Sequence, residues 1–123
     1  MKIISTEKAP KAIGPYVQGK VDKGLLFTSG QLPINVATGK MPETIAEQTT
    51  QSLENVKAIV EEAGGTMDNI MKATVFLKNM TDFAEMNKVY DSFFPGMKPC
   101  RSAFEVAKLP MDALVEIEVI VSL

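Results

Sequence analysis

The strongest constraint on the fold is the strict alternation of apolar and polar residues near the C-terminus. One face of a strand would carry Val115, Ile117, Val119 and Val121, and the other would carry Glu116, Glu118 and Ile120. The segment from Pro99 onward predicts a second strand that a turn joins to the first, with Arg101 near its start. An arginine and two glutamates would then stand on rigid strands, either as a structural ion-pair cluster or as a site.

The preceding sequence predicts three more strands and two helices. Strands are expected over 17–21, 25–29 and 70–78, and helices over 46–63 and from 83 to about 94. Thr44 and Glu47 have the spacing of a capping box at the first helix, and Gly64-Gly65 would end it. Residues 1–123 form one α+β domain in this prediction, a two-layer sandwich with a mixed β-sheet and both helices on one face.

The sheet face without helices has an unusual predicted composition. It would carry Thr74, Phe76 and Ile120 beside Glu116 and Glu118. Such a face is too apolar to lie comfortably in water and too charged to form a core. This mixture favours a surface through which the chain associates with copies of itself.

Composition narrows the chemistry. The chain has no histidine, which removes the usual Ser-His-Asp and Cys-His catalysis and the commonest metal ligand. One cysteine, Cys100, supports neither a disulfide framework nor a zinc site. The charges are 13 basic and 15 acidic residues without a basic stripe, which argues against nucleic-acid binding. No apolar run is long enough for a membrane span and no signal-peptide pattern is present, so a cytoplasmic protein is expected.

Arg101 has two interpretations that make opposite demands. A structural arginine would be occupied by Glu105, Glu116 or Glu118 in an ion pair, and the pattern slightly favours this. A binding arginine would keep its donors free to hold a ligand carboxylate through two parallel hydrogen bonds. Glu116 and Glu118 would be solvated in a monomer, whereas coverage by another subunit would raise their pKa and make a proton carrier plausible.

The remaining candidates also have plain structural interpretations. Cys100 is expected to be a small buried residue, since it points away from Arg101 on the strand. Tyr16 could be an ordinary half-buried aromatic residue, and Ser29-Gly30 only the end of a strand. The glycine would equally let a ligand approach the main chain closely. Asn87 is either a solvated helix residue or a polar group lining a cleft.

Four segments together resemble the RidA (YjgF/YER057c/UK114) family over nearly the whole chain. They are Ala12-Ile13-Gly14-Pro15-Tyr16-Val17-Gln18, Thr28-Ser29-Gly30-Gln31-Leu32-Pro33, Gln51-Ser52-Leu53-Glu54-Asn55-Val56, and Pro99-Cys100-Arg101-Ser102 through Val115-Glu116-Ile117-Glu118. The resemblance implies a chorismate-mutase-like fold assembled as a homotrimer with active clefts between subunits. It also implies hydrolytic deamination of 2-imino and 2-enamino acids such as 2-aminoacrylate, 2-iminopropanoate and 2-iminobutanoate. The products would be 2-keto acids and ammonia, and no cofactor or metal would be needed.

The resemblance assigns roles residue by residue. Arg101 would bind the substrate carboxylate, and Glu116 would hold or polarise the attacking water and move protons. The residues that would line the cleft are Tyr16, Ser29, Gly30 and Asn87. Ala103 stands where members active on these imines often have cysteine, which changes little if that position contributes only its carbonyl. The resemblance leaves open a non-catalytic protein that binds 2-keto acids or similar small carboxylates, and a ribonuclease, which the charge pattern disfavours.

Overall fold

The computed structural model describes all of residues 1–123, and its centre is one six-stranded sheet. The strands are β1 (Lys2–Ile4), β2 (Gly19–Asp22), β3 (Leu25–Thr28), β4 (Ile70–Leu77), β5 (Cys100–Glu105) and β6 (Val115–Ser122). Their order across the sheet is β1-β2-β3-β6-β4-β5. Only β4 and β5 run parallel, and every other neighbouring pair is antiparallel.

Two helices cover one face of this sheet, which confirms the α+β prediction. Helix α1 (Ile45–Glu62) begins with the predicted capping box, in which Thr44 and Glu47 satisfy each other's backbone amides. It ends where Gly64 adopts a φ of 91°, a left-handed conformation that glycine reaches without steric cost. Helix α2 (Phe83–Ser92) is shorter than expected, because the chain leaves the helix before Phe93 and Phe94.

The core lies between the sheet and the helices. It contains Leu53, Val56, Ile59 and Val60 from α1, Met86 and Tyr90 from α2, and Val115, Ile117, Val119 and Val121 from β6. The alternation predicted for β6 is thus confirmed. Phe94, which lies just beyond the end of α2, is 1% exposed and packs against Tyr90 with ring centroids 4.8 Å apart.

Three local expectations were wrong. The C-terminal strands β5 and β6 do not form a hairpin, because β4 lies between them and pairs with both. Strict alternation along the predicted strand 70–78 would place Met71 on the same face as the core residue Ala73. Met71 is instead 52% exposed, since an irregularity in the pairing between Ile70 and Lys72 turns Ile70 into the core in its place. The N-terminal strand β1 was not predicted at all, and it pairs with β2 through only three residues.

The second sheet face carries no helix. Phe27 and Phe104 are 52% and 45% exposed there, and Phe104 meets Phe76 edge to face at 5.5 Å. Cys100 lies on this face opposite Lys72 and is exposed, so the expectation that it is buried was wrong. Its strand is at the sheet edge and no second layer covers it. We call this surface the open face.

Neither helix is long and apolar enough to cross a membrane.

Candidate functional site

Arg101 lies on the helix-covered side of the edge strand β5. Its partner on the neighbouring strand β4 is Ala73, a core residue, so the Arg101 side chain points toward α2. There Nη1 donates a hydrogen bond to Asn87 Oδ1 at 2.7 Å. The guanidinium carbon lies 4.7 Å from the centre of the Tyr90 ring and 5.5 Å from that of Phe83. The arginine is therefore held by one amide oxygen and two aromatic rings.

No carboxylate pairs with Arg101 in the chain. The two salt bridges of the structure join Lys78 to Asp112 and Lys98 to Asp91. Glu105, one of the predicted partners, instead accepts a hydrogen bond from the backbone amide of Met80 at 2.8 Å. The ion-pair interpretation of Arg101 was therefore wrong for the isolated chain, and its remaining N–H donors are free.

Glu116 lies on the other side of the sheet. It pairs with Phe76 of β4, whose side chain is on the open face, and thus points away from Arg101. The predicted cluster of an arginine and two glutamates does not exist within one chain. Burial is the main cause that raises the pKa of the half-buried Glu116 carboxyl, and the neighbouring Glu118 charge adds to it. Glu116 is accordingly a carboxyl that accepts a proton more readily than an ordinary glutamate.

Gly30 provides the surface on which the Glu116 carboxyl rests. A Cβ at Gly30 would lie 2.8 Å from the Glu116 Cδ, closer than side chains tolerate. The next residue, Gln31, fixes this contact, since it exchanges two backbone hydrogen bonds with Ile117 at 2.7 and 3.2 Å. The amide of Gly30 makes no hydrogen bond to another backbone group. A free N–H and a carboxyl with a raised pKa are thus adjacent.

Gly30 also lines a cavity of about 540 Å³, which we call the Gly30 cavity. Its wall is mostly apolar and includes Tyr16, Leu32, Ile34 and Met111. The Tyr16 hydroxyl accepts a hydrogen bond from the Ile13 amide at 3.3 Å. The Ser29 hydroxyl does not face a ligand freely, because it donates to the Val17 carbonyl at 2.6 Å.

A second cavity of about 550 Å³ lies beside Arg101, and we call it the Arg101 cavity. Asn87 and Tyr90 share its wall with Arg101. Ala103 follows Arg101 on the same side of β5 and packs against the core. Both cavities have the size of a small-molecule site. The predicted site residues therefore fall into two groups by their place in the fold. One group lies near the Arg101 cavity and comprises Arg101, Asn87 and Ala103. The other lies near Gly30 and comprises Tyr16, Ser29, Gly30 and Glu116.

Buried amide side chains hold the loops around the Gly30 cavity. Gln18 bonds to the backbone of Thr6, Ala9 and Pro10, and Asn55 donates to the carbonyls of Leu32 and Ile34. Gln48 connects the Pro42 carbonyl to the Leu114 amide, two residues before Glu116. Buried amides fully bonded in this way fix loop backbone that would otherwise be mobile.

A family model described as Endoribonuclease L-PSP matches residues 6–123. A 2-iminobutanoate/2-iminopropanoate deaminase of Escherichia coli K12 is 54% identical over 123 residues, with 97% of this chain and 95% of the relative covered. The chain belongs to the RidA family.

Solved structures of the RidA family agree in fold. Escherichia coli TdcF with bound serine superposes with a TM-score of 0.98 at 48% identity, over 100% of this chain and 99% of that one. The Escherichia coli YjgF gene product superposes with a TM-score of 0.97 at 50% identity, over 99% and 98%. One relative of this RidA chain is thus known to bind a small amino acid.

Sequence reasoning missed two contributors to the candidate site in this RidA protein. Phe83 and Tyr90 were not among the predicted site residues, although both rings face Arg101. Their spacing from Asn87 was visible, since residues 83, 87 and 90 share one helix face. The structure groups no three His, Cys, Asp or Glu side chains that could hold a metal ion.

Proposed function

We propose that this protein hydrolyses 2-imino and 2-enamino acids, among them 2-aminoacrylate, 2-iminopropanoate and 2-iminobutanoate, to 2-keto acids and ammonia. The observation that carries the proposal is the state of Arg101, which has no carboxylate partner and retains free donors. A guanidinium in this state suits the carboxylate that all these substrates share. The 54% identity to a deaminase over almost the whole chain supports the same reaction class.

The proposal includes a homotrimer with its sites between subunits. Arg101 and Glu116 point to opposite sides of one sheet, so a single chain does not bring them to one ligand. An open face that exposes Phe27 and Phe104 favours burial against another copy. Contact between copies would let Arg101 of one subunit and Glu116 of another meet across a cleft.

The reaction needs only modest help at each step. An enamine first takes a proton at its β-carbon and becomes the protonated imine, C=NH₂⁺. Water then adds to the electrophilic imine carbon, the C=N electron pair moves to nitrogen, and Glu116 takes a proton from the water, which leaves a neutral carbinolamine. The same carboxyl returns that proton to nitrogen, and as the C–N bond breaks and ammonia leaves, the hydroxyl proton passes to the Glu116 carboxylate and the C=O bond of the keto acid forms. A carboxyl with a raised pKa suits both transfers.

The remaining residues would position the reactants. Tyr16 and Gly30 would line the cleft opposite Arg101, with the Gly30 amide available to orient water or substrate oxygen. Asn87 would fix Arg101, and Ala103 would contribute main chain rather than a thiol. Ser29 would support the loop through its bond to Val17. The proposed steps use side chains, main-chain groups and water alone. The proposed location of the protein is the cytoplasm.

A coupled assay tests this function. Threonine dehydratase releases 2-iminobutanoate, and keto-acid formation is followed with and without this protein under conditions in which spontaneous hydrolysis is slow. The wild-type protein should accelerate keto-acid release, and Arg101→Ala should lower kcat/KM by at least about a hundredfold, since it removes a charged hydrogen-bond partner. Lys57→Ala on α1, which also removes one positive charge, should retain wild-type activity.

Two results would contradict the proposal. Equal rates with Arg101→Ala and wild type would remove Arg101 from the site. A wild-type protein that binds 2-ketobutyrate in calorimetry but leaves imine hydrolysis at its spontaneous rate would instead be a keto-acid binding protein. RNA cleavage that survives replacement of both Arg101 and Glu116 would belong to a contaminant or to another site.

A further inference from the structure

The setting of Arg101 raises the question of what keeps an unpaired guanidinium in place. Arginines on strands are ordinarily fixed by a carboxylate, which also occupies their donors. Here the one acidic side chain on the cavity wall, Asp91, bonds to Lys98 at 2.6 Å, and Arg101 has no carboxylate partner.

Three residues of α2 surround the guanidinium instead. Phe83, Asn87 and Tyr90 recur at i, i+4 and i+7, so they form one stripe on the helix. Asn87 contributes one acceptor at 2.7 Å, and the two rings lie within 6 Å of the guanidinium carbon. Aromatic faces attract a cation without accepting its hydrogen bonds. The stripe can therefore fix the arginine while its remaining donors stay available.

Tyr90 has a second unusual property. The residue is 8% exposed, and its hydroxyl has no hydrogen-bond partner in the structure. Burial raises the pKa of Tyr90 to about 12, while the Arg101 charge acts in the opposite direction, so the phenol stays neutral. A tyrosine with an idle hydroxyl contributes its ring, and the ring faces Arg101.

We propose that Phe83 and Tyr90 are positioning residues for Arg101, which together with Asn87 form an aromatic cradle that holds the guanidinium ready for a substrate carboxylate. The proposal rests on the function proposed above, since it assigns Arg101 the carboxylate of the same ligand. It adds that ligand affinity depends on the two rings through the position of Arg101. A cradle without negative charge also leaves the full attraction of Arg101 to the incoming anion.

The test compares the ring of Tyr90 with its hydroxyl. Tyr90→Phe keeps the ring and should leave the calorimetric Kd for 2-ketobutyrate and the KM for imine within about twofold of wild type. Tyr90→Leu removes the ring and should raise both by about fivefold to thirtyfold, with kcat changed far less, because the lost interaction acts on binding. Phe83→Leu, the more distant ring, should show the same pattern at smaller amplitude.

A matched control separates positioning from general damage to the fold. Val60→Ala removes buried volume from the core at a position on α1 that does not line the Arg101 cavity. It should lower the midpoint of thermal unfolding as Tyr90→Leu does, while Kd and KM remain at wild-type values. The cradle would be supported if Tyr90→Phe has wild-type Kd and KM where Tyr90→Leu does not, and if their unfolding midpoints do not account for the difference.

Two outcomes would overturn the inference. Tyr90→Leu with wild-type Kd and KM would show that the ring does not position Arg101. Tyr90→Phe that loses as much affinity as Tyr90→Leu would assign the effect to the hydroxyl. Failure of the deaminase function is separate, because the affinity series for 2-ketobutyrate requires no turnover.

Discussion

Arg101 and Glu116 lie on opposite faces of the same sheet, and the protein surrounds the two charges in different ways. Arg101 is held by an amide oxygen and two rings, which preserve its charge and leave donors free. Glu116 lies over Gly30 without a cation, and burial raises its pKa. In the proposed function, one side would be the anion site and the other the carboxyl that accepts a proton, and each side lacks the group that the other has.

This difference is consistent with the sites between subunits proposed above. If one chain contained the whole site, a carboxylate near Arg101 would be expected, and the structure has none. An incomplete site on each side of the sheet is instead what a protein with shared clefts requires. The exposed aromatic residues on the open face, Phe27 and Phe104, are consistent with such contacts.

The largest effect is expected when the two sides are supplied by different subunits. Arg101→Ala and Glu116→Gln should each lose at least about a hundredfold in kcat/KM. Mixed oligomers from co-expression of the two inactive variants should recover about a quarter of wild-type activity, because a cleft that takes each group from a different subunit receives both intact in one case of four. The measurement is the coupled imine assay on purified mixed oligomers.

A second mixture controls for unequal assembly. Wild-type chains co-expressed with the Arg101→Ala/Glu116→Gln double variant should give about a quarter of wild-type activity if clefts are shared, and about a half if each chain holds a whole site. No recovery in the first mixture together with one half of wild-type activity in the second would contradict shared clefts, since both groups would then act within one chain.

The sequence predicted the elements more reliably than their arrangement. The alternation along β6 and the capping box of α1 are local, and both appear as expected. The position of β4 between β5 and β6 depends on pairing between distant segments, which no local pattern encodes. For the same reason, the opposite orientations of Arg101 and Glu116 became visible only from the strand register.

The resemblance to known sequences suggested Arg101 and Glu116 as candidates, but the sequence did not predict their surroundings. The pairing of Asp91 with Lys98 and of Glu105 with Met80 depends on side-chain geometry. Cys100 was expected to be buried because Arg101 was grouped with Glu116 and Glu118, whereas the strand register puts Arg101 under α2 and Cys100 on the open face.

An intermediate effect is expected at the contact between Gly30 and Glu116. Gly30→Ala places a methyl group 2.8 Å from the Glu116 Cδ, so the carboxyl must move. A displacement on this scale should lower kcat/KM by about tenfold to a hundredfold, while calorimetric affinity for 2-ketobutyrate falls less, because Arg101 is untouched.

Gly96→Ala is the matched control for this change. Its methyl group would meet the Asp68 carboxylate at 3.0 Å, and since Gly96 and Asp68 line neither cavity, activity should stay at the wild-type level. Wild-type kcat/KM in Gly30→Ala would show that the position of the Glu116 carboxyl over Gly30 does not matter for the reaction.

The smallest effect is expected in stability. The sign of the change in unfolding midpoint caused by Glu116→Gln indicates which group faces the Glu116 carboxyl. Burial and then Glu118 raise the pKa of this carboxyl, so the folded chain favours the protonated form. Its contribution to stability is full below the unfolded pKa and is lost as pH rises through the higher folded value. In an Arg101→Ala background, Glu116→Gln should therefore raise the unfolding midpoint by a few degrees near pH 7, and the gain should shrink near pH 4.

With Arg101 intact, a guanidinium from a neighbouring subunit would stabilise the ionised carboxylate, and the same substitution should then give a smaller gain or a loss. Equal gains in both backgrounds, measured by thermal unfolding across this pH range, would mean that Arg101 and Glu116 do not face each other in the assembled protein.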